Sequence, residues 1–187
     1  MNESFRIARI AGIPVGLNWS LLLIAGLLTT SLAGNVLPLA EPGLSTFSYV
    51  VVAVIAAAGF FASILTHELG HSIVAQRRGI PVEGITLWLL GGVARLGREP
   101  DTARDELAVS AAGPLTSVAT AALFGGLALS LQALSLELLA AGAGWLATIN
   151  VLLAVFNLIP AAPLDGGRIL GGLLWLRHGD RDRAKRT

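Results

Sequence analysis

Residues 64–79 read ILTHELGHSIVAQRRG and place a metal-binding pattern, H-E-x-x-H, at the end of an uncharged stretch. His67 and His71 are four residues apart, so on a helix they share one face and can bind one ion. Glu68 lies beside them, where its carboxylate could take a proton from a water activated by that ion. Two imidazoles and a carboxylate with an open fourth position suit zinc. The pattern predicts metal-dependent hydrolysis with one zinc ion per chain.

H-E-x-x-H also arises by chance in soluble helices, where its residues simply face water. Here the surroundings argue against that interpretation. At about 1.5 Å per residue, His67 lies about 15 Å along a helix from Arg77. Ionisable groups at that depth in an apolar segment are costly and mark functional sites. The functional interpretation is therefore favoured.

The elements that must position this motif are apolar. Of the 187 residues, 54% are hydrophobic and 13% are charged, whereas a soluble domain carries about 25% charged residues. Four stretches contain no Asp, Glu, Lys or Arg, and each exceeds the roughly 20 residues of a bilayer span: 10–40, 42–67, 107–136 and 138–164. They lack the polar stripe of a soluble helix. The sequence predicts an all-α polytopic membrane protein with about four spans, forming a single membrane-embedded domain over 1–187.

The predicted spans are helices over 16–34, 47–76, 105–131 and 143–158. Between the second and third, the segment 84–96 contains Gly91, Gly92 and Val93 and residues that favour extended structure. It predicts a short β-hairpin or a re-entrant loop beside the metal. The apolar stretch in 166–177 is too short to span and predicts a helix along the cytoplasmic interface.

The positive charges predict the orientation. All 13 Lys and Arg residues precede the first span, lie between the second and third, or follow the fourth. The loops around Glu41 and Glu137 have none. The positive-inside rule therefore places both termini, the segment 76–106 and the active site toward the cytoplasm. The net charge of +1 predicts no nucleic-acid partner. The Arg-rich, Lys-poor composition suggests the plasma membrane of a prokaryote, with the lipid bilayer as a partner and a homodimer as a further possibility.

A zinc site needs a third ligand, and with no cysteine in the chain it must be a histidine or a carboxylate. Asp165 is the candidate at the cytoplasmic end of the fourth apolar stretch, in NLIPAAPLDGGR. Prolines break the helix there, and Gly166 and Gly167 allow tight backbone. Unwound backbone at membrane depth is tolerated only against protein or a water-filled cavity. An Asp-Gly turn that caps the next helix is the alternative, and both roles can hold together.

These residues carry a family resemblance. HELGH at 67–71 and NLIPAAPLDGG at 157–167, in this order on two different spans, resemble the site-2 protease family of intramembrane zinc metalloproteases. Further agreement lies in AGIPVGLNWS at 11–20, WLLGGVARL at 88–96 and AAGPL at 111–115, so the resemblance covers roughly residues 11 to 175. It implies zinc binding by His67, His71 and Asp165, catalysis by Glu68, and a role for Asn157 in positioning the substrate or the active-site loop.

Two departures from the family pattern stand out. In similar proteins AGP is often followed, after two intervening residues, by Asn, and Ser117 occupies that place here. The resemblance implies a role for this position in holding the substrate carbonyl or the oxyanion; Ser117 is kept as a substrate-binding candidate, although the departure from Asn weakens that assignment. Members of this type also often carry a C-terminal CBS domain, which these 187 residues do not include.

Substrate binding is predicted at the 84–96 segment. A helical transmembrane substrate hides its scissile carbonyls in internal hydrogen bonds, so cleavage requires local unwinding. An exposed strand edge that includes Gly91, Gly92 and Val93 could pair with the unwound backbone by strand addition. The alternative is a cytoplasmic loop that merely connects two spans.

The predicted function is intramembrane proteolysis of a single-span transmembrane substrate; by resemblance, such substrates include anti-sigma factors and other membrane-tethered regulators. One alternative is a membrane metal transporter that uses the same His and Asp residues. That alternative leaves Glu68 without a task, and the stretches 10–40 and 107–136 offer almost no polar groups for a pathway. Another is a zinc hydrolase acting on prenylated C-termini, but such enzymes typically complete H-E-x-x-H with a Glu ligand.

Overall fold

The computed structural model describes residues 5–89 and 91–179. The strands are β1 (Phe5–Ile10), β2 (Ile13–Leu17), β3 (Val82–Trp88) and β4 (Gly91–Leu96). The helices are α1 (Ser20–Ser31), α2 (Leu37–Ala40), α3 (Thr46–Arg77), α4 (Ala103–Ala133), α5 (Glu137–Asn157) and α6 (Asp165–His178), and a π-helical segment, Leu32–Val36, joins α1 to α2.

Four helical segments within the described residues are long and apolar enough to cross a membrane: Ser20–Ala40, Thr46–Arg77, Ala103–Ala133 and Glu137–Asn157. The number of candidate spans therefore agrees with the sequence prediction. The second and third agree closely in their ends. The fourth begins at Glu137 rather than at residue 143, since a carboxylate in the first turn interacts favourably with the helix dipole.

The prediction of an all-α fold is wrong in one respect, because the chain also forms a four-stranded sheet in the order β1-β2-β3-β4. The predicted hairpin within 84–96 is confirmed as the antiparallel pair β3 and β4. The first predicted helix, 16–34, overlaps β2, which pairs in parallel with β3. A short apolar run that continues into a helix cannot be distinguished from that helix by periodicity alone. Ile13–Leu17 pairs on one side with β1, which directly precedes it, and on the other side with β3, which lies far along the chain.

One face of the sheet packs on α3. Ile13, Ile85 and Leu87 are buried in one cluster with Leu21 of α1 and Ile64 of α3. Alternate side chains of a strand point to the same face, so β2 and β3 each direct apolar residues into this cluster. The packing places β3, and with it β4, alongside the turn of α3 that carries the H-E-x-x-H motif.

The long helices approach each other closely around the same turn. Gly70 of α3 faces α4 with no room for a Cβ, because one would contact the Thr116 side chain and lie 3.0 Å from the Ala112 carbonyl oxygen. Asn150 of α5 is fully buried, and its Nδ2 donates to Ser63 Oγ of α3 at 2.9 Å. These contacts bring α3, α4 and α5 together at the depth of the motif.

Candidate metal centre

Helix α3 brings His67 and His71 together one turn apart. Their Nε2 atoms are 3.2 Å from each other, and both residues are buried. The spacing of four residues on a continuous helix is sufficient to place the two rings on one face. The shared face predicted from the sequence is therefore present in the structure.

Asp165 reaches the same point from the first residue of α6. Its Oδ2 lies 3.1 Å from His71 Nε2 and 3.2 Å from His67 Nε2. Gly166 and Gly167 make this position accessible, because Cβ atoms there would collide with the carbonyls of the loop that follows α5. The N-cap of α6 is Leu164. Asp165 therefore does not cap the helix as the alternative interpretation supposed, and its carboxylate faces the histidines.

Two hydrogen bonds from α4 hold the imidazole rings. His71 Nδ1 lies 2.7 Å from the Val109 carbonyl oxygen, which can only accept, so Nδ1 donates its proton there. In neutral His71 this leaves a lone pair on Nε2. His67 Nδ1 lies 2.9 Å from Ser117 Oγ, which orients that ring with its Nε2 toward Asp165. Two imidazole nitrogens and one carboxylate oxygen thus converge at one point.

The donor set and its spacing fit zinc. Imidazole nitrogen and carboxylate oxygen are both atoms that bind zinc in proteins. Tetrahedral ligands held about 2.1 Å from an ion lie about 3.4 Å from one another. The three ligand atoms are 3.1, 3.2 and 3.2 Å apart, close to that value. His67, His71 and Asp165 form a buried group suited to a metal ion.

Gly113 of α4 lies directly under the two histidines. A Cβ at this position would collide with the His71 ring and would lie 2.8 Å from His67 Cε1. Only glycine therefore leaves room for both rings, and α4 approaches α3 closely enough for its backbone and Ser117 to hold them.

Glu68 faces a cavity of roughly 330 Å³ beside the histidines. His67, Gly91, Gly92 and Asn157 also line this cavity. Gly92 packs against the Glu68 side chain so closely that a Cβ would collide with Glu68 Cγ. The carboxylate is thus held between the metal-binding group and a space that can admit a substrate.

A model of peptidase family M50 matches residues 55–141 and 129–187 of this sequence. The chain belongs to peptidase family M50. The resemblance to site-2 proteases is confirmed by a solved structure titled as the site-2 protease from Methanocaldococcus jannaschii, which superposes with a TM-score of 0.57 at 29% identity. That match covers 93% of this chain and 73% of the other.

Curated relatives match almost the whole of this M50 sequence. It is 45% identical to Rip3 of Mycobacterium tuberculosis over 185 residues, which is 98% of this chain and 47% of that protein. It is 34% identical to a zinc metalloprotease of Methanocaldococcus jannaschii over 182 residues, which is 96% of this chain and 48% of that protein. The chain thus spans about half the length of the curated relatives it matches.

Some of the residues predicted to bind substrate line the cavity of this M50 chain, and others do not. Gly91, Gly92 and Asn157 line the cavity. Val93 does not line it and is exposed on β4. Ser117 is 1% exposed and bonds to His67, which favours a role in orienting that ring over contact with a substrate carbonyl. All these roles stay predictions.

Two contributors from α4 lie outside the sequence prediction. Val109 acts through its backbone carbonyl, which no side-chain pattern can reveal. Gly113 lies in the AAGPL motif at 111–115 and acts through the space that its missing side chain leaves. Val109, Gly113 and Ser117 are spaced four residues apart, so they share one face of α4. Counting back from Ser117 in steps of four residues would have identified this face from the sequence.

Proposed function

We propose that this chain is a zinc metalloendopeptidase that hydrolyses a peptide bond in a single-span transmembrane protein. The observation that carries the proposal is the convergence of two imidazole nitrogens and one carboxylate oxygen from buried residues, beside Glu68 at the edge of a cavity. The relative named as a zinc metalloprotease and the site-2 protease neighbour support the same chemistry. One zinc ion per chain would be held by His67, His71 and Asp165.

The reaction divides among a few side chains. Zinc, when bound, supplies a Lewis acid that polarises the scissile carbonyl and activates water. Glu68 takes one proton from the attacking water as its oxygen bonds to the carbonyl carbon, and then gives that proton to the leaving amine as the C–N bond breaks. Ser117 and the Val109 carbonyl keep the two histidine rings in place, as outer hydrogen bonds commonly do for metal ligands.

The substrate would be held by strand addition. β4 forms one edge of the sheet, and Gly91 and Gly92 at its start line the cavity beside Glu68. An unwound substrate segment paired with this edge would bring its carbonyl to the cavity. Asn157 also lines the cavity, and its Nδ2 donates to the Leu153 carbonyl at 2.9 Å. It would position the substrate or the loop that leads to Asp165.

Proline substitutions along residues 86–94 test the strand addition. Proline cannot donate a ladder hydrogen bond, so substitutions whose amide faces the open edge should lower cleavage. Helical content and zinc stoichiometry identify the variants that remain folded. If every folded proline variant cleaves as well as wild type, the edge of β4 does not bind the substrate.

The setting is a membrane. The four candidate spans form a single membrane-embedded domain over 1–187 in this proposal, with β3 and β4 re-entrant and α6 along the interface. The distribution of Arg and Lys supports cytoplasmic termini and a cytoplasmic-facing site in the plasma membrane of a prokaryote. Anti-sigma factors and other membrane-tethered regulators are the substrates that the resemblance to site-2 proteases implies, and a homodimer is compatible with the proposal.

The central test uses two variants of the purified protein. Asp165→Ala should bind markedly less zinc than wild type, which should hold about one ion per chain. Glu68→Gln should retain the zinc and the fold but fail to cleave an epitope-tagged single-span protein in the same liposomes. Equal zinc in wild type and Asp165→Ala would refute the ligand set. Cleavage by Glu68→Gln would refute the assigned base, and zinc uptake by liposomes carrying that variant would favour a transporter.

A further inference from the structure

The third proposed ligand comes from a different part of the chain than the two histidines. Asp165 reaches them only if α6 is docked correctly on its neighbours. α6 packs along α4, and at Gly172 a Cβ would lie 2.9 Å from the Leu107 side chain. This contact fixes the distance between the two helices but carries no charge and allows sliding.

A polar contact lies closer to the metal-binding group. Arg168 Nε donates to Glu106 Oε1 at 2.9 Å. The Glu106 side chain is only 12% exposed. Salt in the solvent therefore screens this ion pair less than it screens a pair between two fully exposed side chains. Arg168 is one helical turn beyond Asp165 on α6, and Glu106 is one turn before Val109 on α4.

The pair therefore joins the two sides of the metal-binding group. On one side, the turn of α6 that holds Arg168 also presents the carboxylate of Asp165. On the other side, Glu106 lies one turn of α4 before Val109, whose carbonyl accepts a hydrogen bond from His71 Nδ1 at 2.7 Å. A shift of α6 along α4 would separate Asp165 from the histidines and would break this ion pair at the same time.

We propose that the Glu106–Arg168 ion pair positions Asp165 for zinc binding. This inference rests on the proposed zinc site. Ligand distances in metal sites are held within about 0.2 Å, so a small displacement of α6 is enough to weaken binding. Arg168 is a positioning residue: it acts through Asp165 and touches neither metal nor substrate. Groups that orient metal ligands typically contribute 10–100-fold to metal affinity.

The experiment measures zinc affinity by competition with a chromophoric chelator, using the whole chain purified in detergent. Arg168→Gln and Glu106→Gln should each weaken zinc binding about 10-fold or more. The matched control is Arg78→Gln. It breaks the Arg78–Asp105 pair, which has the same 2.9 Å N–O distance and uses the neighbouring residue of α4, but ties α4 to the end of α3 instead of to α6. Its zinc affinity should equal that of wild type.

Two further variants separate positioning from general loss of fold. Arg168→Lys keeps the positive charge and should recover part of the affinity. The double reversal Glu106→Arg with Arg168→Glu restores a pair of opposite charges and should bind zinc more tightly than either single reversal. The visible absorption of the cobalt-loaded proteins should report the same order, since it depends on ligand geometry.

Unchanged zinc affinity in folded Arg168→Gln would overturn the inference, as would a double reversal that binds no better than the single reversals. Asp165→Ala distinguishes this failure from failure of the zinc site itself. If Asp165→Ala loses zinc while Arg168→Gln keeps it, only the positioning role is wrong. If Asp165→Ala keeps its zinc, the proposed ligand set is wrong.

Discussion

Replacing Gly113 with alanine adds one methyl group directly beneath the two proposed ligand histidines. The added carbon would lie 2.8 Å from His67 Cε1 and 2.5 Å from His71 Cε1. Carbon atoms in contact normally lie about 3.5–4.0 Å apart, so the rings must retreat by at least about 0.7 and 1 Å, and His71 Nε2, which is closer still to the added carbon, requires a larger shift. Both displacements exceed the tolerance of about 0.2 Å on metal-ligand distances.

The cost of this retreat can be estimated. Moving a side chain about 30° from its rotamer costs about 0.5–1.5 kcal/mol, so two rings cost about 1–3 kcal/mol. That corresponds to zinc binding about 5- to 150-fold weaker. Helix propensity acts in the opposite direction, since alanine is favoured over glycine within a helix by about 0.5–1 kcal/mol. Gly113→Ala should therefore bind zinc about 5- to 150-fold more weakly without losing helix.

The assay is chelator competition for zinc, with circular dichroism as the measure of folding. The matched control is Gly126→Ala, on the same helix, where nothing lies within 4 Å of the added carbon. Both variants gain helix propensity, but only Gly113→Ala should lose zinc affinity. Wild-type affinity in Gly113→Ala would refute the close approach of α4 to the histidines and the estimate built on it.

Ser117→Ala removes the hydroxyl that lies 2.9 Å from His67 Nδ1 and should weaken zinc binding about 10-fold. Ser130→Ala on the same helix, where the hydroxyl bonds only to its own turn at 2.9 Å, should bind zinc as wild type does; equal affinities in both variants would contradict the orienting role. Gly92→Ala crowds the Glu68 side chain, whose atoms are the nearest to the added carbon, so it should lower cleavage while zinc stoichiometry stays at wild type. Undiminished cleavage would show that this contact is not needed. A zinc chelator should abolish cleavage. Added zinc should restore it and magnesium should not, because imidazole nitrogen suits zinc whereas magnesium prefers oxygen ligands. Cleavage that survives exhaustive zinc removal would refute the metalloprotease mechanism.

The two histidines and Glu68 were accessible from the sequence because their arrangement is local. A spacing of four residues within a continuous helix already determines that two side chains share a face. The helical character of α3, α4 and α5 was accessible for a similar reason, since long uncharged apolar stretches satisfy the length of a span without reference to any other part of the chain.

Non-local contacts decided the rest. The predicted first helix, 16–34, includes Gly16 and Leu17, which instead end β2; that strand pairs with β1 and, through a non-local contact, with β3. The meeting of Asp165 with His67 and His71 depends on how α6 docks on α4, through Gly172 and the Glu106–Arg168 pair.

The hydrogen bond from His71 to the Val109 carbonyl marks the limit of what a sequence can reveal. Every residue has a backbone carbonyl, so no residue type announces that this one will hold an imidazole. The role of Gly113 is comparable, because a missing side chain becomes meaningful only when two rings occupy the space it leaves. The sequence by itself determined the chemistry of the site, through side chains whose spacing along one helix is enough. Tertiary packing alone decided which backbone groups and which distant carboxylate complete it, because those contacts depend on how helices approach one another.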